Sequence, residues 1–110
     1  PGVEIVAVVT RPSVAELGLA VGRPAIALIK SSFVTLAVGE GLRTSARNQI
    51  PGRIASRTDG AVNSEIRLEI ADGKTLTATI TRESAEALGL KEGGAATALV
   101  KAQHVILALD

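Results

Sequence analysis

The sequence contains an internal repeat, because its first third recurs close to its end. Residues 1–37 and 72–108 align without a gap at an offset of 71 residues, and 16 of the 37 positions are identical. The segment Thr-Arg-Pro-Ser-Val-Ala-Glu-Leu-Gly-Leu, which begins at Thr10, recurs as Thr-Arg-Glu-Ser-Ala-Glu-Ala-Leu-Gly-Leu from Thr81. Polar Thr, Ser and Lys positions recur together with the Gly and Leu positions that shape the backbone. The repeat therefore predicts a duplicated fold and is compatible with a duplicated binding site.

The composition restricts both the core and the classes of function. Hydrophobic residues make up 46% of the 110 residues, but Phe33 is the only aromatic one, so the core must consist of Val, Ile, Leu and Ala. A net charge of +1 argues against a broad nucleic-acid-binding or membrane-binding surface. The sequence has no Cys and one His, which argues against a transition-metal site. It also lacks an apolar run of about 18 residues, the length of a membrane span.

Residues 44–110 have the pattern of a complete repeat. Strands are predicted over 49–56, 64–70, 75–81, 95–102 and 105–109, since 64–70 alternates apolar and charged residues and Asp72-Gly73 is a typical hairpin turn. A short helix follows Thr81, a good N-cap, and ends at Leu88-Gly89-Leu90. The order strand-strand-strand-helix-strand-strand predicts an all-β, Greek-key barrel of the oligonucleotide/oligosaccharide-binding (OB) type, with one short helix per repeat.

Residues 1–38 have the pattern of the second half of such a repeat, joined to the complete one by a linker at 39–43. We expect strands over 5–10, 25–31 and 33–38 and a helix over 13–17, with no residues equivalent to 41–71 before them in this sequence. The missing strands would leave sheet edges unpaired, which folded proteins avoid. We therefore expect either upstream residues or another chain to cover these edges, and we expect a homo-oligomer.

Three segments of the second repeat carry hydrogen-bond donors that could bind an anion. They are Ser45-Ala46-Arg47 before the first strand, Thr81-x-x-Ser84 at the start of the helix, and Lys101-Ala102 at the end of the fourth strand. A helix start, an Arg and a Lys each attract anions. Because the set needs no carboxylate, it suits a fully deprotonated oxyanion and disfavours hydrogen phosphate, whose own O–H needs an acceptor.

Each of these residues also has a purely structural interpretation. Thr81 and Ser84 are typical helix caps, Lys30 and Lys101 are typical of exposed strand ends, and Arg47 is typical of a solvated loop. A duplicated fold would also duplicate its caps, so the recurrence of these residues leaves both interpretations open.

The same segments resemble a known family. The runs at 44–49 (Thr-Ser-Ala-Arg-Asn-Gln) and 60–65 (Gly-Ala-Val-Asn-Ser-Glu), with Thr81-x-x-Ser84, Leu88-Gly89-Leu90 and Lys101-Ala102, are similar to the molybdate-binding Mop domain, also called the TOBE or molbindin domain. The resemblance spans 43–109, and 1–38 resembles the later half of the same domain. The tandem form resembles the C-terminal sensor region of ModE-type molybdate-responsive transcription regulators, and also two-domain molbindins.

This resemblance implies an OB-like barrel that binds molybdate or tungstate as an oxyanion, with no protein residue acting as a direct ligand of a metal cation. It also implies a cytoplasmic homo-oligomer in which sites are shared between subdomains, usually of different chains. The first repeat lacks a Ser-x-Arg segment of its own, so its site would take that segment from elsewhere. The implied oxyanion-binding residues are Ser45, Arg47, Thr81, Ser84, Lys101 and Ala102, with the counterparts Thr10, Ser13, Lys30 and Ser31.

Four functions compete on this evidence. The favoured function is oxyanion binding without catalysis, in the sensing domain of a transcription regulator or in a storage protein. An oligonucleotide-binding OB module would need aromatic residues for base stacking, and a structural oligomerisation module would not need the recurring Ser, Arg and Lys. An enzyme is disfavoured because the sequence has no Cys and a single His without a partner motif. These 110 residues contain no helix-turn-helix, so we expect no direct contact of this chain with nucleic acid.

Overall fold

The computed structural model describes residues 3–71 and 73–109, and it confirms the predicted all-β class with one short helix per repeat. Neither helix in these ranges has the length or apolar character needed to cross a membrane. The elements are, in chain order, α1 (Arg11–Leu17), β1 (Ile26–Ile29), a first 3₁₀ turn (Ser31–Phe33), β2 (Thr35–Ala37), β3 (Asn48–Asp59), β4 (Asn63–Ala71), β5 (Lys74–Thr81), α2 (Arg82–Ala87), β6 (Ala95–Val100), a second 3₁₀ turn (Ala102–His104) and β7 (Val105–Ala108).

Five strands form one curled antiparallel sheet in the order β2-β6-β3-β4-β5. Strand β3 is shared by both halves of this sheet, because its residues 48–53 pair with β6 and its residues 53–59 pair with β4. A β-bulge between Ile54 and Ser56 lies within the part that pairs with β4, and a bulge bends the strand that carries it. The sheet therefore curls as an OB-type barrel does, and the first 3₁₀ turn packs against β5.

The last strand of each repeat pairs with the other repeat. Strand β7 lies beside β1, with Ala108 opposite Ile26, and β2 lies beside β6, with Ala37 opposite Thr97. These two pairings are images of one another at the offset of 71 residues. The exchange therefore relates the repeats by an approximate twofold axis, and it was not predicted from the sequence. The division into two units at the linker 39–43 stays a prediction, because strands before the linker pair with strands after it.

The two 3₁₀ turns direct this exchange. Each one follows a strand-end lysine with extended backbone angles, φ −69° and ψ 129° at Lys30 and φ −67° and ψ 138° at Lys101. The chain is thus carried away from the preceding strand and does not fold back as in a two-residue hairpin. The turns meet at the approximate axis, where the rings of Phe33 and His104 stack with centroids 4.2 Å apart and planes at 22°.

The core lies inside the curled sheet and consists of Val, Ile, Leu and Ala, as the composition required. Ile50, Ile66 and Val100 are fully buried, and burying each such side chain stabilises the fold by about 1.5–3 kcal/mol. Val34 and Leu36, which belong to the first repeat in sequence, are buried in the same cluster. The exchanged segment around β2 therefore completes the core of the second repeat.

Both helices end as predicted, while α1 begins earlier than expected. Helix α1 starts at Arg11 because Thr10 caps it and Pro12 is tolerated in the first turn. Gly18 and Gly89 have φ values of 67° and 65°. Glycine reaches this left-handed conformation at little cost, which stops each helix.

The first half-repeat differs from its prediction over residues 5–10, where we expected a strand and the structure has none. The equivalent strand β5 pairs with β4, and the first repeat has no counterpart of β4 in this sequence. Among the described residues, β1 pairs only with β7, and its Ile26 and Leu28 are 46% and 49% exposed. The other predicted strands are confirmed with shifted ends. The predicted hairpin residue Asp72 lies outside the described residues.

Candidate anion-binding site

A threonine–serine pair begins each helix. Ser13 N donates to Thr10 Oγ1 at 3.2 Å, and the Thr10 hydroxyl donates to Ser13 Oγ at 2.9 Å. The same bonds join Thr81 and Ser84 at 3.1 and 2.8 Å. Both threonines are therefore N-caps, as their structural interpretation predicts. Each serine still has its hydroxyl hydrogen for an additional acceptor, so capping and anion binding are compatible.

The first helix start lies next to the strand end of the second repeat. Val8 N donates to Ala102 O at 3.0 Å, and Ala102 directly follows Lys101. Thr10 follows Val8 by two residues, so its Cα lies within about 7 Å of that of Val8. This hydrogen bond therefore brings the Thr10–Ser13 pair towards Lys101 of the other repeat.

The second helix start lies next to the strand end of the first repeat, as the approximate twofold axis requires. Ser31 Oγ lies 2.9 Å from Thr79 Oγ1, and Thr81 follows Thr79 by two residues. Ser31 follows Lys30, whose Nζ lies 5.6 Å from the centroid of the Phe33 ring. The structure thus relates helix starts and strand-end lysines crosswise between the repeats, whereas the sequence had grouped the pairs of one repeat together.

Ser45 and Lys101 line one pocket of about 300 Å³. Ser32, Thr44 and His104 also line it, and no Asp or Glu is among its lining residues. Of the described residues, neither helix-start pair lines this pocket directly. Exposed Arg47 follows Ala46, which is part of the lining. Ser45 and Ala46 of the Ser-Ala-Arg segment therefore meet Lys101 in one pocket that has donors and no carboxylate, and Arg47 is the next residue in the chain.

The surroundings of Thr81 are more acidic. The depression at this helix start is lined by Arg82, Glu83 and Glu86 as well as Thr81. Asp59 Oδ2 lies 3.8 Å from Arg82 Nε, which places a further carboxylate close to α2. Anions should therefore be attracted less strongly here than to the pocket of Ser45 and Lys101.

Asp59 is ionised and held in a polar cluster beside α2. Its Oδ1 accepts hydrogen bonds from Arg57 Nε at 2.8 Å and from the buried Ser64 hydroxyl at 2.6 Å. These bonds, that of Arg57 first, lower the pKa of the Asp59 carboxyl below its ordinary value of 3.8. Arg57 Nη1 also donates to Leu90 O at 2.8 Å. The cluster therefore ties the strands to the residues that follow α2.

One feature next to the pocket was missed in the sequence. Asn48 is a buried polar residue at the start of β3, one position before the predicted strand over 49–56, and the only signal was its place in the run at 44–49. His104 lines the pocket and is half-buried against Phe33. Within residues 3–71 and 73–109 no group of three or more His, Asp or Glu residues could hold a metal ion.

Comparisons with known proteins agree on one family. The profile of the TOBE domain matches residues 1–36 and 44–107. The chain is 51% identical to the molybdenum-pterin-binding protein MopB of Rhodobacter capsulatus over 98% of the chain and 40% of that protein. It is 36% identical to the DNA-binding transcriptional dual regulator ModE of Escherichia coli K12 over 91% of the chain and 37% of that protein. The chain thus spans about 40% of the length of these relatives.

A solved structure matches almost the entire chain. It is the cytoplasmic molybdate-binding protein ModG with molybdate bound, which superimposes with a TM-score of 0.95 at 39% identity. The match covers 99% of this chain and 79% of ModG. The crosswise fold described above is therefore the fold of a protein that holds molybdate.

Proposed function

The chain belongs to the TOBE domain family, and on this basis we propose that it binds molybdate or tungstate without catalysing a reaction. The observation that carries the proposal is the pocket shared by Ser45 and Lys101, whose lining offers donors and no carboxylate. The functions of two relatives, molybdate binding in ModG and molybdenum-pterin binding in MopB, support the same ligand.

The proposed site takes its donors from both repeats of one chain. The first repeat supplies the helix start, which the bond between Val8 N and Ala102 O ties to the second repeat. The second repeat supplies the Ser-x-Arg segment and the strand end. The helices have seven and six residues, so the proposal relies on side chains and not on a helix dipole. The proposed ligand residues are Thr10, Ser13, Ser45, Arg47, Lys101 and Ala102, the last through its backbone.

The remaining candidates form a second set that is incomplete in this sequence. It contains Thr81 and Ser84 with Lys30 and Ser31, related by the contact of Ser31 with Thr79. The 110 residues contain no second Ser-x-Arg segment, equivalent to 45–47, that would complete this set. This set would therefore bind an oxyanion only when another segment, such as one from a second copy in a homo-oligomer, supplies the missing donors.

For the whole protein we propose molybdate sensing as part of a transcription regulator. The similarity to ModE of Azotobacter vinelandii, at 42% identity over 96% of the chain, supports this role. The alternative is cytoplasmic molybdate storage, which the similarity to ModG supports. Gel-shift assays with the full-length protein and its own promoter distinguish these roles, since only a regulator should change its DNA affinity when molybdate is added.

Calorimetric titration of the ligand-free chain with four anions tests the binding itself. We expect molybdate and tungstate to bind with dissociation constants of about 1 µM or below, corresponding to about −8 kcal/mol. Sulfate should bind more weakly because it is smaller, and hydrogen phosphate because its O–H would meet no acceptor. Equal affinities for phosphate and molybdate would contradict the proposal.

A further inference from the structure

Asn48 is a buried side chain that joins three segments of the chain. It is the first residue of β3 and is 2% exposed. Its Oδ1 accepts a hydrogen bond from Val6 N at 2.7 Å, and its Nδ2 donates to Val6 O at 2.8 Å and to Val100 O at 3.2 Å. Both backbone groups of Val6 are therefore paired by one side chain, as they would be by a neighbouring strand.

Each of the three segments leads directly to a proposed ligand residue. Thr10 follows Val6 by four residues, Lys101 follows Val100, and Arg47 precedes Asn48 itself. Asn48 thus lies where the donors of the first repeat, the Ser-x-Arg segment and the strand-end lysine converge.

Residues 3–10 depend on this side chain because no strand of the described part of the chain pairs with them. Their equivalent β5 is held by a ladder of backbone bonds to β4, whereas this segment is held by Asn48 at Val6 and by Ala102 at Val8. Removing the amide would leave the N–H and C=O of Val6 without these partners. Partly buried backbone groups that lose their hydrogen-bond partners destabilise the fold. The segment would also lose a contact that fixes its position.

From these contacts we infer that Asn48 is a positioning residue, which holds the helix start at Thr10 in register with Arg47 and Lys101. The inference rests on the proposed function of this site. Both N–H groups of the Asn48 amide donate within the protein, and only acceptor capacity remains on Oδ1, so this side chain has no donor left for an oxyanion. Its effect on the ligand is therefore geometric.

The test compares Asn48→Ala with a matched control, Ser64→Ala. Ser64 is the other buried polar residue of the described core, at 1% exposure, and it hydrogen-bonds to Asp59 beside α2. Molybdate affinity is measured by calorimetry well below the melting temperature of each variant, and amide hydrogen exchange is measured by NMR without ligand. Val6→Pro serves as a second variant. It keeps Asn48 but removes the Val6 N–H that donates a hydrogen bond to Asn48 Oδ1.

We expect Asn48→Ala to weaken molybdate binding by about tenfold or more, and Ser64→Ala to change it less than about twofold at a similar loss of melting temperature. In the ligand-free chain, Asn48→Ala should accelerate exchange at Val6 and Val8 and leave Ile66 in β4 unchanged. If Asn48→Ala does not fold, the same loss of affinity is expected from Val6→Pro, with faster exchange at Val8, since this variant has no amide hydrogen at position 6.

Wild-type affinity in a folded Asn48→Ala or Val6→Pro chain would overturn the inference and leave Asn48 a purely structural residue. An equal loss of affinity in Ser64→Ala would also overturn it, because the effect would then follow stability alone. A wild-type chain that binds no molybdate would refute the proposed function instead. In that case the exchange data decide the positioning role, which unchanged exchange at Val6 and Val8 would overturn.

Discussion

Replacement of Lys101 by alanine should weaken molybdate binding by roughly tenfold to a hundredfold. Hydrogen bonds to charged groups contribute about 1.5–3 kcal/mol, and about 1.4 kcal/mol corresponds to a tenfold change in affinity. Coulomb's law gives about 1 kcal/mol for unit charges 4 Å apart in water and about 4 kcal/mol at an effective dielectric constant of 20. Because Lys101 is exposed at the rim of a pocket, its contribution should fall between these limits.

Lys30→Ala is the matched control for this prediction. Lys30 occupies the equivalent position of the first repeat, so its loss changes the net charge of the chain by the same amount. It belongs to the incomplete set of donors, and its removal should change the affinity less than about threefold, or about 0.6 kcal/mol. Both variants are titrated by calorimetry at two salt concentrations, and their melting temperatures are measured in parallel.

The outcome of this comparison decides where the site lies. Equal losses in Lys101→Ala and Lys30→Ala would show that overall charge, and not a local contact, determines the affinity. A loss only in Lys30→Ala would place the ligand at the other helix start, next to Thr81. Wild-type affinity in Lys101→Ala would refute the assignment of the pocket shared with Ser45.

Three further outcomes follow from the fold. The hydrogen bonds from Arg57 and Ser64 lower the pKa of Asp59 in the folded protein. The ionised Asp59 should therefore stabilise the fold above about pH 4, and this stabilisation should be lost as the pH falls through the lowered pKa. The melting temperature of Asp59→Asn should depend less on pH than that of the wild type, and an equal pH dependence would contradict this prediction. A Cβ on Gly52 would collide with the backbone oxygen of Glu69, so Gly52→Ala should lower the free energy of unfolding in urea by about 1–3 kcal/mol, and wild-type stability would contradict the described contact. Light scattering at low micromolar concentration should detect an oligomer, since β1 pairs only with β7 among the described residues and exposes Ile26 and Leu28. A stable monomer would argue against a shared second site.

Local rules made much of this fold predictable. The alternation over 64–70 identified β4, and the cap at Thr81 with the stop at Leu88-Gly89-Leu90 placed α2. Helix α1 was predicted over 13–17 and begins two residues earlier, at Arg11. The residue types of the proposed anion site were also recognisable, because Thr, Ser and Lys recur at the offset of 71 residues. These signals depend on residues close in sequence, whose preferences do not require knowledge of distant contacts.

The two repeats, most of their strands and helices, and the kind of donors that they carry were predictable from residues close in sequence. Which copies pair depends on contacts between residues far apart in the chain. Val34 and Leu36 have identical counterparts, Val105 and Leu107, so β2 and β7 offer β6 nearly the same surface, and a local pattern cannot choose between them. The choice follows from the direction in which the 3₁₀ turns send the chain, and it relates the helix start of one repeat to the strand-end lysine of the other. The role of Asn48 was hidden for the same reason, because its partner Val6 lies 42 residues away.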